Sequence, residues 1–224
     1  MKRAAPENNL PHAMPTVLLT GFDAFGGEAL NPSWLAVQAL DGEVVHGHRI
    51  VAAQLPTTFA GSGPALLKLL RTHRPALVVC VGLAGGRSAL SLERIAININ
   101  DARIADNAGM QPVDVPVVKR GPPAYFSTLP IKAMLHALTQ AGIAAEVSQT
   151  AGTFVCNHVF YVLMHALKKP RNQNTRGGFV HAPYLPGQGV PCMPLEEVVR
   201  GLRLAVACAL ATEQDALIGA GALN

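Results

Sequence analysis

Short runs of apolar residues alternate along the chain with amphipathic segments. The first run, Val17 to Thr20, stops at Gly21, and Asn31-Pro32-Ser33 further on is typical of the start of a helix. A longer run, Ala76 to Gly82, has the length of a strand and no charged position, as expected of a strand that is covered on both faces. This succession of strand, loop and helix predicts an α/β fold of three α/β/α layers, with a mixed, mostly parallel central sheet.

The same patterns set approximate bounds for the other elements. Isoleucines at every second position predict a half-covered strand from Leu92 to Asn100, and the same count places Glu93 on its apolar face. The polar, proline-rich segment 101–121 predicts an excursion from the sheet. Further strands are predicted at 49–55, 144–147 and 178–181, and helices at 31–40, 64–72, 130–141, 154–169 and 194–212.

The composition is that of one folded domain. Half of the 224 residues are hydrophobic and 14% are charged, so the chain can bury a sizeable core and is not disordered. We interpret residues 1–13 as a polar tail and residues 14–224 as a single domain. Eighteen Lys plus Arg residues against fourteen Asp plus Glu give a net charge of +4, and the basic residues are scattered, which argues against nucleic-acid binding.

Targeting and redox features indicate a protein of the cytoplasm. The longest apolar run is far shorter than the roughly 20 residues of a membrane-spanning helix, so no membrane partner is expected. No apolar segment follows the N-terminal Met-Lys-Arg, as a secretory signal would require. Four cysteines without a CxxC pair argue against both a disulfide framework and a zinc site, so we expect reduced thiols.

Cys156 is the first candidate for chemistry, because it follows a predicted strand and the turn 149–152 and so lies in the first turn of a helix. Backbone N–H groups and the helix dipole there stabilise negative charge, which favours a thiolate nucleophile, and the same N–H groups can form an oxyanion hole. The alternative is a small core residue, since Cys156 shares an apolar stripe with Val159, Phe160 and Leu163.

A thiol nucleophile needs a base, and the chain has eight histidines. We expect His158 and His165 to lie on the helix face opposite Cys156, out of contact with its thiol. His181 ends a predicted strand and so lies at the carboxyl edge of the sheet, where open α/β folds bind their ligands. A purely structural histidine is the alternative at this position.

Glu93 is the third candidate, because a carboxylate on an apolar strand face must find a partner. A hydrogen bond from the far nitrogen of an imidazole would satisfy it and hold the ring in the tautomer that accepts a proton from sulfur. Alternatively, Glu93 lies at a strand end and pairs with Arg94 or Arg103, or is exposed.

The other motifs give little support to phosphate or metal chemistry. Gly26-Gly27 and Gly85-Gly86-Arg87 match neither the P-loop nor the dinucleotide fingerprint. No HExxH motif is present, and the carboxylates are not grouped as a two-metal aminopeptidase requires. We therefore expect no metal and no cofactor.

A set of segments between about residues 15 and 212 occurs in an order typical of one family. The segments are Thr20-Gly21-Phe22, Phe25-Gly26-Gly27, Asn31-Pro32-Ser33, Gly82 to Arg87, Glu93 to Ala96, Asp101 to Ile104, Asp106-Asn107, Ala151 to Asn157, and His181 with Pro183. Together they resemble the pyroglutamyl peptidase type I family, also called the pyrrolidone-carboxylate peptidases.

The resemblance implies a phosphorylase/hydrolase-like α/β fold and a cysteine peptidase that removes N-terminal pyroglutamate from peptides through a thioester. It implies Cys156 as nucleophile, His181 as acid and base, and Glu93 as the residue that orients the imidazole. The substrate pocket that it implies is formed by Phe22, Phe25, Leu83, Arg103, Ile104, Phe154 and Val155. The implied partners are peptides with an N-terminal pyroglutamate, and the implied assembly is a homo-tetramer without metal or cofactor.

Two alternatives remain open at the level of sequence. A nucleoside-phosphorylase-like enzyme would share the general fold and would cleave nucleosides in a phosphate-dependent reaction. A catalytically silent module would bind pyroglutamyl termini without cutting them. The three intact triad positions argue against the silent module, whereas binding without turnover would support it.

Overall fold

Seven strands form one central sheet within residues 14–221, the part of the chain that the computed structural model describes. Two further strands, β6 and β7, form a separate small sheet. In chain order the nine strands of this part of the chain are β1 (Thr16–Phe22), β2 (Val44–Val45), β3 (His48–Leu55), β4 (Leu77–Leu83), β5 (Leu90–Glu93), β6 (Ile95–Ile97), β7 (Ala124–Phe126), β8 (Ala145–Ser148) and β9 (Arg176–Ala182). The helices are α1 (Pro32–Gln38), α2 (Phe59–His73), α3 (Ile131–Gln140), α4 (Val155–Leu167) and α5 (Leu195–Ala211), with a 3₁₀ helix at Pro170–Asn172. The polar tail predicted at residues 1–13 lies outside the described residues.

The strand order is β2-β3-β1-β4-β9-β5-β8. Strands β3, β1, β4 and β9 run parallel to one another. Strand β5 runs antiparallel to β9 and parallel to β8, and β2 runs antiparallel to β3. The mixed, mostly parallel sheet expected from the sequence is therefore confirmed. Strand β9, the last in the chain, lies between β4 and β5.

Helices cover both faces of the sheet. Successive side chains of a strand point to opposite faces, so a strand that is apolar throughout presents apolar surface on both sides. Val180 and Ala182 of β9 belong to the core beneath α1, α3 and α5. Phe179, on the alternate face of β9, belongs to the core beneath α2 and α4. His181 follows the parity of Phe179, and the two ring centroids are 4.8 Å apart. The side of the sheet that carries α2 and α4 is therefore the side of the imidazole.

The predicted strand 92–100 does not exist as one element. Strand β5 ends one residue before Arg94, and β6 then pairs with β7 in a separate two-stranded sheet. In β6 the small Ala96 is buried, whereas its isoleucine neighbours are only half-buried, so the period of two pointed to the wrong face. The buried Asn157 side chain of α4 captures this segment, since it accepts the Ile97 N–H at 3.0 Å and donates to the Ile97 carbonyl at 2.9 Å. That tertiary contact has no signature in the hydrophobic pattern.

Helix α2 begins five residues before its predicted start at Pro64. Glycine and proline in its first turns lower the helix propensity and conceal the start in the sequence. Thr58 compensates as the N-cap, because its hydroxyl accepts the Gly61 N–H at 3.1 Å. No helix within the described range 14–221 is both long and apolar enough to cross a membrane.

The segment Asn31-Pro32-Ser33 fixes the loop that follows β1. The Asn31 side chain caps α1 by accepting the Ser33 N–H at 3.1 Å, and it donates to the Asp23 carbonyl at 2.9 Å. The Ser33 hydroxyl accepts the Phe22 N–H at 3.0 Å. These bonds hold the end of β1 against the start of α1, as the sequence predicted for a helix start.

Candidate active site

Strand parity brings Glu93 and His181 to the same face of the sheet. Leu90 and Leu92 of β5 pack on the side of α1, α3 and α5, so Glu93 points to the opposite side, where Phe179 and His181 also lie. Glu93 is the register partner of Phe179 on the antiparallel neighbour β9. The backbone of Glu93 therefore lies two residues deeper in the sheet than that of His181, on the same face.

Glu93 and His181 form a buried hydrogen bond. The imidazole Nδ1 lies 2.7 Å from Glu93 Oε1, and the two side chains are 4% and 0% exposed. A carboxylate accepts only from an N–H, so Nδ1 carries the proton and Nε2 is left as the acceptor nitrogen. The ring is thus held in the tautomer that can take a proton.

Arg87 is the other partner of Glu93, and the sequence did not predict it. Its Nη1 donates to Glu93 Oε1 at 2.7 Å, and its Nη2 donates to the Thr150 carbonyl at 3.2 Å. The alternative pairing of Glu93 with Arg94 or Arg103 is not what the structure has. Arg94 instead donates to the Gln149 side chain, and Arg103 is exposed. A buried carboxylate requires a cationic partner, so the burial of Glu93 could have suggested an arginine. Burial alone does not identify which arginine it is.

Cys156 lies in the first turn of α4, as the sequence predicted, and its sulfur lies against Gly82 of β4. A Cβ atom placed on Gly82 would be 2.8 Å from Sγ, so only glycine leaves room for the thiol at this point of the sheet. Gly82 is the register partner of His181. The sulfur and the imidazole therefore approach the same short stretch of the sheet, on the same face.

The thiol of Cys156 is protonated at neutral pH. Its pKa is raised to about 12: burial is the largest cause, the negative charge of Glu93 adds to it, and the Arg87 guanidinium opposes both. The helix N-terminus by itself favours a thiolate, as the sequence indicated, but desolvation and the Glu93 charge shift the balance toward the thiol. A base must remove the proton during reaction.

An apolar cavity of about 110 Å³ opens in front of Cys156. Among its walls are five of the predicted pocket residues: Phe22, Phe25, Leu83, Phe154 and Val155. The other two, Arg103 and Ile104, line a neighbouring cavity of about 490 Å³ and are exposed. Phe154 forms the wall shared by both cavities. Sequence reasoning missed four residues that also line the smaller cavity: Glu28, Leu30, Asn31 and Thr57.

A cluster of aromatic rings supports the shared wall. The ring centroid of Phe154 is 5.3 Å from that of Phe25 and 5.3 Å from that of Phe59. The N–H of Phe59 donates to Asp106 Oδ2 at 2.8 Å. Burial pushes the pKa of Asp106 up, but its bonds from the backbone N–H groups of Phe59, Met110 and Ala108 outweigh that effect, and the pKa lies below its ordinary value. A charged Asp106 thereby fixes Phe59 against Phe154.

The two histidines of α4, His158 and His165, are hydrogen-bonded to residues other than Cys156 and Glu93. His158 is hydrogen-bonded to the Asn100 side chain at 3.1 Å, and burial lowers its pKa to about 4. His165 is hydrogen-bonded to the Tyr125 hydroxyl at 2.8 Å. No three His, Cys, Asp or Glu side chains of the described part of the chain are grouped closely enough to hold a metal ion.

Comparison with known proteins gives this arrangement a family. A family model described as pyroglutamyl peptidase matches residues 15–212. The chain belongs to the pyroglutamyl peptidase family. Among its relatives is a pyrrolidone-carboxylate peptidase of Cupriavidus taiwanensis, 58% identical over 94% of this chain and 100% of the relative. A similar relative from Escherichia fergusonii is 51% identical over the same shares of both chains.

Solved structures of pyroglutamyl peptidases share the fold. Pyroglutamyl peptidase I of Bacillus amyloliquefaciens superposes with a TM-score of 0.89 at 44% identity, covering 92% of this chain and 100% of that one. Pyrrolidone carboxyl peptidase of Thermococcus litoralis superposes with a TM-score of 0.87 at 34% identity, with the same coverage.

Proposed function

We propose that this member of the pyroglutamyl peptidase family hydrolyses the peptide bond that follows an N-terminal pyroglutamyl residue. Cys156 is the nucleophile, His181 the acid and base, and Glu93 the residue that orients the imidazole. The observation that carries the proposal is the buried 2.7 Å hydrogen bond between Glu93 and His181, on the sheet face where the Cys156 sulfur meets an apolar cavity.

Attack begins from a neutral thiol. As Sγ bonds to the carbonyl carbon after the lactam ring, His181 Nε2 takes the thiol proton, and the buried Glu93 carboxylate stabilises the imidazolium. The carbonyl oxygen becomes an oxyanion. The N–H groups of the first turn of α4 have no partners within the helix and are the donors closest in sequence to the sulfur.

The imidazolium then completes the cycle. It donates its proton to the departing amine, the C–N bond breaks, and a pyroglutamyl thioester remains on Cys156. The neutral imidazole next takes a proton from water, whose oxygen attacks the thioester. Sulfur leaves as its C–S bond breaks and recovers the proton, which regenerates the thiol and releases pyroglutamic acid.

The cavity suits a pyroglutamyl ring. That ring is a neutral lactam without an ammonium group, so it needs mainly apolar walls and a few hydrogen bonds. The walls from Phe22, Phe25 and Phe154 supply apolar and aromatic surface. The charged residue among the walls is Glu28, whose side chain is exposed, so a free N-terminal ammonium would lose hydration against mainly apolar surface, with that one carboxylate as its candidate ion-pair partner.

Cleavage of paired reporters tests this function. We expect release of a fluorophore from its pyroglutamyl amide and none from the alanyl amide that carries a free amine. Cys156→Ala removes the nucleophile and should abolish release, whereas Cys192→Ala alters an exposed cysteine and should not. Turnover retained by Cys156→Ala would end the mechanism, and binding of a pyroglutamyl peptide by the wild type without turnover would restore the silent module.

Assembly and compartment are further parts of the proposal. We expect a homo-tetramer in the cytoplasm, as the family resemblance implies. The excursion that follows β6 exposes the apolar side chains of Ile104, Met110, Val113 and Val115, which favours contact with another subunit. Light scattering of the purified protein would give the mass of the assembly, and a monomer at micromolar concentration would contradict the tetramer.

A further inference from the structure

One oxygen of Glu93 receives two donors, and the other receives none. Oε1 accepts from His181 Nδ1 and from Arg87 Nη1, each at 2.7 Å. Oε2 is buried and has no hydrogen-bond partner among the residues that the structure describes. A carboxylate held through one oxygen can rotate about its terminal bond unless its donors fix it. The direction in which Oε1 points therefore depends on Arg87 as well as on the imidazole.

Arg87 also reaches the segment that leads to the nucleophile. Its Nη2 donates to the Thr150 carbonyl at 3.2 Å, and the Ser148 hydroxyl donates to the same carbonyl at 3.0 Å. The Thr150 hydroxyl accepts the Gly152 N–H at 3.0 Å, three residues before α4 begins. One guanidinium thus connects the carboxylate that holds the imidazole to the turn that precedes Cys156.

We propose that Arg87 is a positioning residue of the peptidase reaction, which fixes Glu93 Oε1 toward His181 and fastens that pair to the turn before α4. A planar guanidinium has several donors in a rigid fork, so it can hold both acceptors at once. It also balances a carboxylate that is 0% exposed and would otherwise be an unpaired buried charge. The inference rests on the proposed function of the same site.

We expect the charge of Arg87 to affect the pH dependence of the reaction. The titratable and charged groups on this side of the sheet include Glu93 of β5, which bonds to the imidazole, and Arg87 from the loop before β5, which bonds to Glu93. They also include the thiols of Cys156, which lies against Gly82 of β4, and of Cys80 on the same strand. Arg87 is the cation in this set, and both thiols are uncharged at neutral pH. A nearby cation opposes protonation of the ring, so its removal should favour the imidazolium.

The test uses Arg87→Gln, Arg87→Lys and a matched control. Arg94→Gln is the control, because Arg94 is also half-buried and hydrogen-bonded but contacts Gln149 and Ala220 instead of Glu93. Steady-state kinetics with the pyroglutamyl reporter are measured from pH 5 to 9. Protein concentrations are corrected for the folded fraction by unfolding curves.

We expect Arg87→Gln to lower kcat by about 10- to 100-fold with KM changed by less than about 2-fold, since Arg87 is not among the residues that line the two cavities. The acid limb of its rate profile should move up by about one pH unit. Arg87→Lys keeps the charge but cannot hold both acceptors, so it should restore the limb while kcat stays reduced. Arg94→Gln should match the wild type in both respects.

Three results would overturn the inference: kcat of Arg87→Gln within about 2-fold of wild type, a lowered kcat with an unmoved acid limb, or the same changes in Arg94→Gln.

A second readout does not need the substrate. Loss of the Arg87 cation should slow alkylation of Cys156 by iodoacetamide about 3-fold or more at pH 8, because the guanidinium favours the thiolate. An unchanged alkylation rate would count against Arg87 even if the wild type proved inactive on pyroglutamyl peptides, an outcome that would refute the proposed function alone.

Discussion

Opposing effects meet at the sulfur of Cys156. The start of α4 favours negative charge, but burial and the Glu93 carboxylate disfavour it more strongly and raise the pKa of the thiol to about 12. The proton therefore stays on sulfur until a base takes it in the reaction. This makes the site depend on the imidazole more than a preformed thiolate site would.

That dependence predicts unequal losses for the two partners of the imidazole hydrogen bond. His181→Ala removes the base and should lower kcat/KM by about 10⁴-fold, whereas Glu93→Gln keeps the shape of the side chain and should lower it by about 10²-fold. Both variants are to be assayed with the pyroglutamyl reporter after circular dichroism confirms that they fold. Equal or reversed losses would argue for another assignment of roles.

Gly82 has no side chain, and this leaves space in the sheet for the Cys156 thiol. In Gly82→Ala the added Cβ would lie 2.8 Å from the Cys156 sulfur and 2.8 Å from the Phe179 ring, so both must move. We expect a loss of about 1–3 kcal/mol in the free energy of unfolding and about 10²-fold in kcat. Urea unfolding and the reporter assay measure the two effects. Gly219→Ala adds the same methyl group in open space and should change neither.

The sequence located single residues to different degrees. Cys156 and His181 could be identified as candidates from their positions relative to predicted strands. Those positions depend only on the order of elements along the chain. Glu93 was singled out by counting along a strand that does not exist, and it is buried for another reason: β5 lies between β9 and β8, with both faces covered. Arg87 was missed, since its contact with Glu93 depends on how a loop folds over the end of the sheet.

At the scale of elements, local signals predicted most helices and strands to within a few residues. They failed where a distant side chain decides the outcome. The Asn157 amide diverts the chain after β5 into β6, and the Thr58 hydroxyl starts α2 in a segment of poor helix propensity. Both contacts require the fold to exist, so a pattern read along the chain cannot contain them.

Helix α3 is capped from the far end of the chain. Its N-cap residue, Pro130, offers no side-chain hydrogen bond, and the Asp215 carboxylate instead accepts the N–H of Lys132 at 3.1 Å and of Ala133 at 2.9 Å. Asp215→Ala should therefore lower the free energy of unfolding by about 0.5–1 kcal/mol, with a smaller loss for Asp215→Asn. Urea unfolding measures this loss. Glu213→Ala, at an exposed acid two residues earlier, is the control, and an equal effect there would refute the cap.

For the whole molecule, the order of elements along the chain predicted the fold class. It did not predict the order and direction of the strands within the sheet. Alternation of strands and helices predicts layers, but strand order depends on long-range pairing. Strand β9 lies between β4 and β5 and runs antiparallel to β5, with one apolar core on each side of the sheet. The Glu93 to His181 contact exists only because of that pairing.

Buried thiols predict a loss of stability in alkali. Burial raises the pKa of Cys80 from near 9 to about 12, so between these values the unfolded chain loses a proton that the folded protein keeps, and the free energy of unfolding falls as pH rises. In Cys80→Ala the slope between pH 9.5 and 11 should be shallower by about 1.4 kcal/mol per pH unit.

Urea unfolding under reducing conditions at several pH values gives these slopes. The cavity left in Cys80→Ala shifts the whole curve and leaves its slope unaffected. Cys192→Ala, at an exposed cysteine, is the control and should keep the wild-type slope. A parallel curve for Cys80→Ala would show that the Cys80 thiol does not titrate differently in the folded state.

The late arrival of β9 has a consequence for the chain during its synthesis. Glu93 and His181 are separated by 88 positions, and the strand that carries the histidine completes the middle of the sheet after every other strand has been made. A nascent or clipped chain that lacks this strand has neither a continuous sheet nor a base beside its thiol. Hydrolysis is thereby withheld until β9 has been made and has paired, and any activity recovered after refolding reports that the sheet has closed.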